Sequence, residues 1–272
     1  MWRGLTAVML AVVFGYGIVV AIMYATQSWH VYHPAGRHYA EPTDIGLDYE
    51  DVTLTTEDGT ELHAWFIPAE PSRGVVLFLQ GNSVNLSYRL EYLRVMDELG
   101  FSTLILDYRG YGKSKGEPDE EGTYQDAMAG WRYLTETRDI PPEEIVVYGQ
   151  SLGASVASWL TAQETPGAVI LESPFTSVMD VASQEFPFLP VRTLFKYEYD
   201  TLGHASQIQA PVLVIHREDD PTISFEHAEE IYAAVRSPKE LLPLRGTKDE
   251  TLVLKNRDYV DGMDRFLATH LR

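Results

Sequence analysis

The stretch Val146-Val147-Tyr148-Gly149-Gln150-Ser151-Leu152-Gly153-Ala154-Ser155 constrains this chain more than any other. A short apolar run of strand character meets a G-x-S-x-G turn and passes directly into a run of small residues through Val156, Ala157 and Trp159 that suits a helix. A strand-to-helix bend this tight leaves no room for Cβ atoms on either side of its apex, which accounts for glycine at 149 and 153. The apical serine then carries its hydroxyl above the sheet, and Ser151 is a candidate nucleophile. The competing explanation for so short a motif is a glycine-rich turn whose serine caps a helix. The apolar strand before it and the Ala/Ser/Trp helix after it favour the nucleophile.

The rest of the chain supplies the sheet that such a turn needs. Asp51–Thr56 and Glu61–Ile67 alternate around Asp58-Gly59, a hairpin pattern. Beyond Pro68 and Pro71 come buried-strand runs at Val75–Leu79, Ser102–Leu106, Ile145–Tyr148, Ala168–Leu171 and Val212–Ile215. Helical stretches fall between and after them, at Leu86–Leu99, Thr123–Thr137, Leu152–Ala162, Glu226–Val235 and Tyr259–His270. Alternating strands and helices predict an α/β fold with a mostly parallel sheet covered on both faces. Residues 174–206 break the alternation with Phe186-Pro187-Phe188-Leu189-Pro190, which reads either as a small cap over the carboxyl ends of the strands or as a packed surface excursion.

Leu5 to Ala25 is an uninterrupted apolar run without a charge, about as long as a helix needs to cross a bilayer. It is long for a cleaved signal peptide and no A-x-A site follows it, so an uncleaved anchor over residues 1–28 is expected. Arg3 precedes the run, and Trp29, Tyr32 and Tyr39 follow it at interfacial positions, which places the remainder outside the cytoplasm by the positive-inside rule. Residues 29–48 read as a linker and 49–272 as one domain. The 40 Asp and Glu residues against 21 Lys and Arg give a net charge of −19, which argues against a nucleic-acid partner. With no cysteine there is no thiolate metal site or cysteine nucleophile, and the absence of any dinucleotide fingerprint or metal-ligand spacing predicts no cofactor and no metal.

Four blocks carry a resemblance to a known family: Phe78-Leu79-Gln80-Gly81-Asn82, Leu106-Asp107-Tyr108-Arg109-Gly110-Tyr111-Gly112-Lys113-Ser114, Gly149-Gln150-Ser151-Leu152-Gly153 and Leu171-Glu172-Ser173-Pro174-Phe175. In this order they resemble the α/β-hydrolases of the bud-emergence type, neighbours of the serine aminopeptidase-like branch, from about Tyr49 to the C-terminus. Membrane anchoring at the N-terminus is common in that family. Gly112-Lys113-Ser114 is not the end of a phosphate loop, because Asp107 stands where that motif requires glycine. Arg109 reads either as the partner of an acid or as a solvated charge.

The resemblance implies a triad in the chain order nucleophile, acid, histidine. The acid falls after Val212–Ile215, where a G-x-x-D-x-x-[VI]-P-like pattern lands on Asp220, with Asp219 the alternative by one residue and Arg217 in place of the usual glycine. The base position falls in Arg245-Gly246-Thr247-Lys248-Asp249-Glu250 and is occupied by Lys248; no histidine lies between Lys239 and Tyr259. Lysine, with a pKa of about 10.4, takes a proton from serine only when strongly desolvated, and loss of the histidine from such a triad costs about 10⁶ in turnover. His216, expected as a packed core residue, His227, His204 and His270 are the other histidines weighed as a relocated base. The oxyanion donors implied are the N–H groups of Leu152 and of Asn82 or Ser83, with Gln80 where the family has histidine.

These observations predict a membrane-anchored serine hydrolase acting on a small-molecule ester, thioester or amide. The alternative is a catalytically impaired relative that keeps the fold as a membrane-tethered binding or scaffold protein.

Overall fold

The computed structural model describes residues 2–245 and 256–271. Its organising element is an eight-stranded sheet formed by β1 (Glu50–Thr55), β2 (Glu61–Ile67), β3 (Val75–Leu79), β4 (Ser102–Leu106), β5 (Ile145–Gln150), β6 (Ala168–Glu172), β7 (Val212–Arg217) and β8 (Lys239–Leu244). The spatial order is β8-β7-β6-β5-β3-β4-β2-β1, and all neighbours are parallel except the pairs β1/β2 and β2/β4. The hairpin predicted around Asp58-Gly59 is β1/β2, with Thr55 opposite Glu61 and Gly59 at φ 83° closing the turn.

Strands β3 to β7 are apolar along nearly their whole length because both sheet faces are covered. The two-residue period sorts their side chains. Leu77, Leu104, Val147, Val169 and Val214 enter one core with α4 (Glu120–Arg132), α5 (Leu152–Thr161) and α9 (Phe225–Ala234). Val76, Ile105, Val146, Ile170 and Leu213 enter the other with α3 (Leu90–Glu98) and α10 (Arg257–His270). Gly130 lets α4 approach the sheet, since a Cβ there would sit 2.9 Å from Leu77 Cδ1.

Two regions outside this scaffold bear on the site. Residues 174–206 carry three short helices, α6 (Val178–Glu185), α7 (Val191–Leu194) and α8 (Thr201–Ala205). The apolar N-terminal run forms α1 (Trp2–Ala25), followed at once by α2 (Gln27–Val31). By length and composition α1 is capable of crossing a membrane, and most of its side chains are exposed. The residues after α2, expected as a linker, are fastened to the domain. His33 and Pro34 pair in parallel with Ser83 and Val84, Gly112 N–H donates to the Ala35 carbonyl, and Asn85 Nδ2 donates to the carbonyls of Ala35 and Arg37.

Candidate active site

Ser151 stands between the end of β5 and the start of α5 with φ 53° and ψ −118°. A non-glycine residue there is strained by about 1–3 kcal/mol, which the surroundings must over-determine. They do so from three sides. Ser151 N–H donates to the Glu172 carbonyl at 2.8 Å; a Cβ at Gly149 would lie 2.3 Å from the Gly153 carbonyl oxygen; and a Cβ at Gly153 would lie 1.9 Å from that of Leu79. The two glycines therefore let α5 and the end of β3 close around the serine.

Leu152 follows as the first residue of α5, where N–H groups have no acceptor within the helix and the helix dipole favours negative charge. The loop after β3 comes up beside it: a Cβ on Gly81 would be 3.5 Å from Ser151 Cβ. Asn82 in this loop is held through its carbonyl, which accepts from His33 N–H at 2.9 Å and Tyr111 Oη at 2.7 Å, and through Nδ2, which donates to the Val31 carbonyl at 2.6 Å. The segment that follows the N-terminal helix thus braces the expected oxyanion loop. Gln80, at the family's histidine position, is buried and donates to the Leu106 carbonyl at 3.2 Å and to Asp107 at 3.3 Å.

Ser151 lies where two cavities meet. One, of about 470 Å³, is mostly apolar and is lined by Leu152, Phe175 and residues of α1 and the 174–206 segment. The other, of about 440 Å³, is lined by Arg89, Tyr92, Glu172, His216 and Asp220 among others. Asn82, Ser83, Thr222 and Ile223 border both.

The two acids considered for the triad separate clearly. Asp219 is exposed, with Oδ1 3.4 Å from Arg217 Nε. Asp220 is half-buried beside the polar cavity, and its Oδ1 accepts from the N–H groups of Thr222 at 2.8 Å and Ile223 at 3.0 Å. Lys248 lies outside the described residues. His216 is buried with Nε2 2.9 Å from the Ile223 carbonyl, and its burial pushes its pKa down. His227 Nδ1 is 2.9 Å from Thr176 Oγ1, His204 is half-buried in α8, and His270 Nε2 is 3.9 Å from Glu240. Arg109 is a paired cation: Nε donates to buried Asp126 and Nη1 to Asp58, each at 2.9 Å.

Sequence reading missed the buried acid behind the serine. Glu172 ends β6 opposite Gln150, and its carboxylate accepts from Tyr92 and Tyr259, each at 3.0 Å, and from Tyr148. Burial, reinforced by the Glu172 charge, pushes the Tyr259 hydroxyl well above its ordinary pKa and keeps it a proton donor. The motif Leu171-Glu172-Ser173 marked the position, but no local pattern announces three tyrosines converging from β5, α3 and α10.

A second group lies close to the loop after β3, with Asp107 Oδ1 accepting from Gln80 Nε2 and Leu86 N–H. Among the described residues, His38, His63 and Asp107 form the one grouping able to hold a metal ion, their ligand atoms within 4.8 Å of one another. His38 Nε2 lies 2.8 Å and His63 Nδ1 3.8 Å from Asp107 Oδ2, while His63 Nε2 is turned to Asp51 Oδ1 at 2.6 Å. Burial alone would raise the Asp107 carboxyl, but the His38 and His63 rings and the Leu86 N–H together hold it below the usual range.

Comparison with known proteins agrees with this fold. A model of the prolyl oligopeptidase family matches residues 86–258. An uncharacterized protein of Mycobacterium tuberculosis is 33% identical over 269 residues, covering 98% of this chain and 95% of its own length. The alpha/beta hydrolase domain-containing protein WAV2 of Arabidopsis thaliana is 34% identical over 84% of each chain. Among solved structures, an esterase of Pyrococcus furiosus superposes with a TM-score of 0.74 at 22% identity, covering 89% of this chain and all of the esterase.

Proposed function

The chain belongs to the prolyl oligopeptidase family of α/β-hydrolases, and from that premise we propose that it is a membrane-anchored serine hydrolase that cleaves an ester, thioester or amide through Ser151. One observation carries the reading: Ser151 is held at φ 53° directly before the N-terminus of α5, at the junction of an apolar and a polar cavity. Strain of this kind persists where function requires the side chain to point into a site. The likeness to an archaeal esterase supports an acyl substrate. The finer placement among bud-emergence-type and serine aminopeptidase-like hydrolases rests on the motif blocks and belongs to the same proposal.

In this mechanism Ser151 Oγ attacks the acyl carbonyl and the resulting oxyanion is met by the N–H groups of Leu152 and Asn82. Asp220 orients the base. The base is Lys248, which accepts the proton only in its neutral form, or a histidine brought to that place. Collapse of the tetrahedral species expels the alcohol, thiol or amine with the proton that the base took from Ser151. Water then repeats the sequence on the acyl-enzyme.

Anchoring through α1 rests on its 24 residues, its lack of charge beyond Arg3 and its exposed apolar surface. With Arg3 on the cytoplasmic side, the hydrolase domain is extracytoplasmic.

A second reading, a tethered binding protein without turnover, is favoured by Lys248 at the expected histidine position. A fluorophosphonate probe separates the two. Labelling of the folded protein that disappears in Ser151→Ala supports the hydrolase, and no labelling of either protein supports the binding role.

A further inference from the structure

We infer that the apolar cavity beside Ser151 is a binding site for the acyl chain of an ester resident in the bilayer, and that the anchor helix itself forms one wall of it. The catalytic half of this inference rests on Ser151 being a nucleophile; the binding half does not.

The first argument is the pattern of contacts along α1. Most of this helix is exposed, but Val20 and Met23 are half-buried and line the cavity together with Tyr24. Tyr16, Val20, Met23, Tyr24 and Gln27 share one face by helical spacing. That face meets the 174–206 segment: Tyr16 Oη donates to the Phe188 carbonyl at 2.9 Å, Lys196 Nζ lies 4.3 Å from the centre of the Tyr24 ring, and Gln27 in α2 bonds to the backbone of both Leu194 and Lys196. A helix whose sole task was to tether the domain would not need a wall position in the catalytic cavity.

The second argument is the chemistry of the lining. Val20 and Met23 share the lining with Val178, Val181 and Phe186, and Ser151 and Leu152 also border the space. At about 470 Å³ the cavity falls within the range of roughly 300–1,000 Å³ that holds an organic ligand. An acyl chain moving from bilayer hydrocarbon into such walls exchanges one apolar surrounding for another, so entry from the membrane exposes little hydrocarbon to water.

The third argument is level. A helix of 24 residues rises about 36 Å, slightly more than the roughly 30 Å of a hydrocarbon core, so its last turns stand near the interface. Those are the turns that line the cavity. Trp29, 74% exposed, follows at that end of the helix and suits an interfacial belt. The polar cavity on the other side of Ser151, bordered by Arg89, His216 and Asp220, is then left for the leaving group and water.

The test uses the full-length chain in phospholipid vesicles doped with a long-chain ester whose acyl tail carries a photoreactive diazirine. Crosslinking is read in Ser151→Ala, so binding is scored without turnover, and the adducts are mapped by mass spectrometry. Adducts on Val20–Tyr24 and on residues 178–195, diminished about tenfold or more by Met23→Trp, support the inference. Adducts confined to Leu5–Val19, or equal in Met23→Trp, overturn it. Wild-type hydrolysis of p-nitrophenyl acetate is measured in parallel. Specific crosslinks without hydrolysis leave the binding site standing and remove the nucleophile reading; hydrolysis without specific crosslinks leaves the hydrolase standing and removes the acyl site.

Discussion

The side-chain nitrogen of Gln27 donates to the Leu194 carbonyl at 3.0 Å, joining the first residue of α2 to the last residue of α7. The same side chain accepts from Lys196 N–H at 2.8 Å, so one buried amide holds two backbone groups of the 174–206 segment. Gln27→Ala should remove both bonds and leave a buried acceptor and donor unpaired, at about 1–3 kcal/mol of local stability. Limited proteolysis should then cut within residues 185–200 faster than in the wild type, while the global denaturant midpoint changes little.

The strain at Ser151 is expected to oppose stability. Replacing it by glycine, which adopts φ 53° without a Cβ penalty, should abolish fluorophosphonate labelling and raise unfolding stability by about 1 kcal/mol. Chemical denaturation of the two proteins checks the sign. A midpoint that falls in Ser151→Gly would show that the elbow is relaxed.

Glu172 should matter more for stability than its place in a short motif suggests. In Glu172→Gln, one carboxylate oxygen becomes an amide nitrogen that cannot accept from the tyrosines around it. A loss of about 1–3 kcal/mol is expected, together with slower turnover because the Glu172 backbone also holds Ser151 N–H. Tyr92→Phe, which removes a single donor, should cost less.

Burial of His216 sets a pH dependence. Its pKa in the folded protein lies below the ordinary 6.5, so the unfolded chain takes up a proton that the native state refuses. The stability contributed by the neutral ring is therefore fully present above pH 6.5 and is lost as pH falls through the folded value. In His216→Gln, whose amide can still donate to the Ile223 carbonyl, the decline in stability between pH 7 and 5 should be shallower than in the wild type. Equal slopes in the two proteins would remove His216 as the source.

Much of this architecture was legible from local pattern. Val75–Leu79 and Ser102–Leu106 are strands with the predicted bounds, because a strand buried on both faces is a continuous apolar run ended by polar residues or glycine. The elbow was legible for a similar reason: both glycines answer to contacts made within a few residues and to the neighbouring strand end at Leu79. The serine, its helix and the α/β alternation were thus determined by the sequence alone, together with a helix long and apolar enough for a membrane.

Tertiary structure decided what those elements do to one another. Arg109 could be a solvated charge or half of a pair until the fold set it beside Asp126 and Asp58. The tyrosines around Glu172 come from positions 92, 148 and 259, and the brace on Asn82 comes from Val31, His33 and Tyr111. Residues 29–48 carried only the composition of a linker, yet they tie the end of the N-terminal helix to the loop after β3. The physical reason is common to all of these. Periodicity reports which face of an element leaves water, whereas the partner on that face is chosen by strand order and by segments as much as 172 residues apart, distances over which a local pattern carries no information.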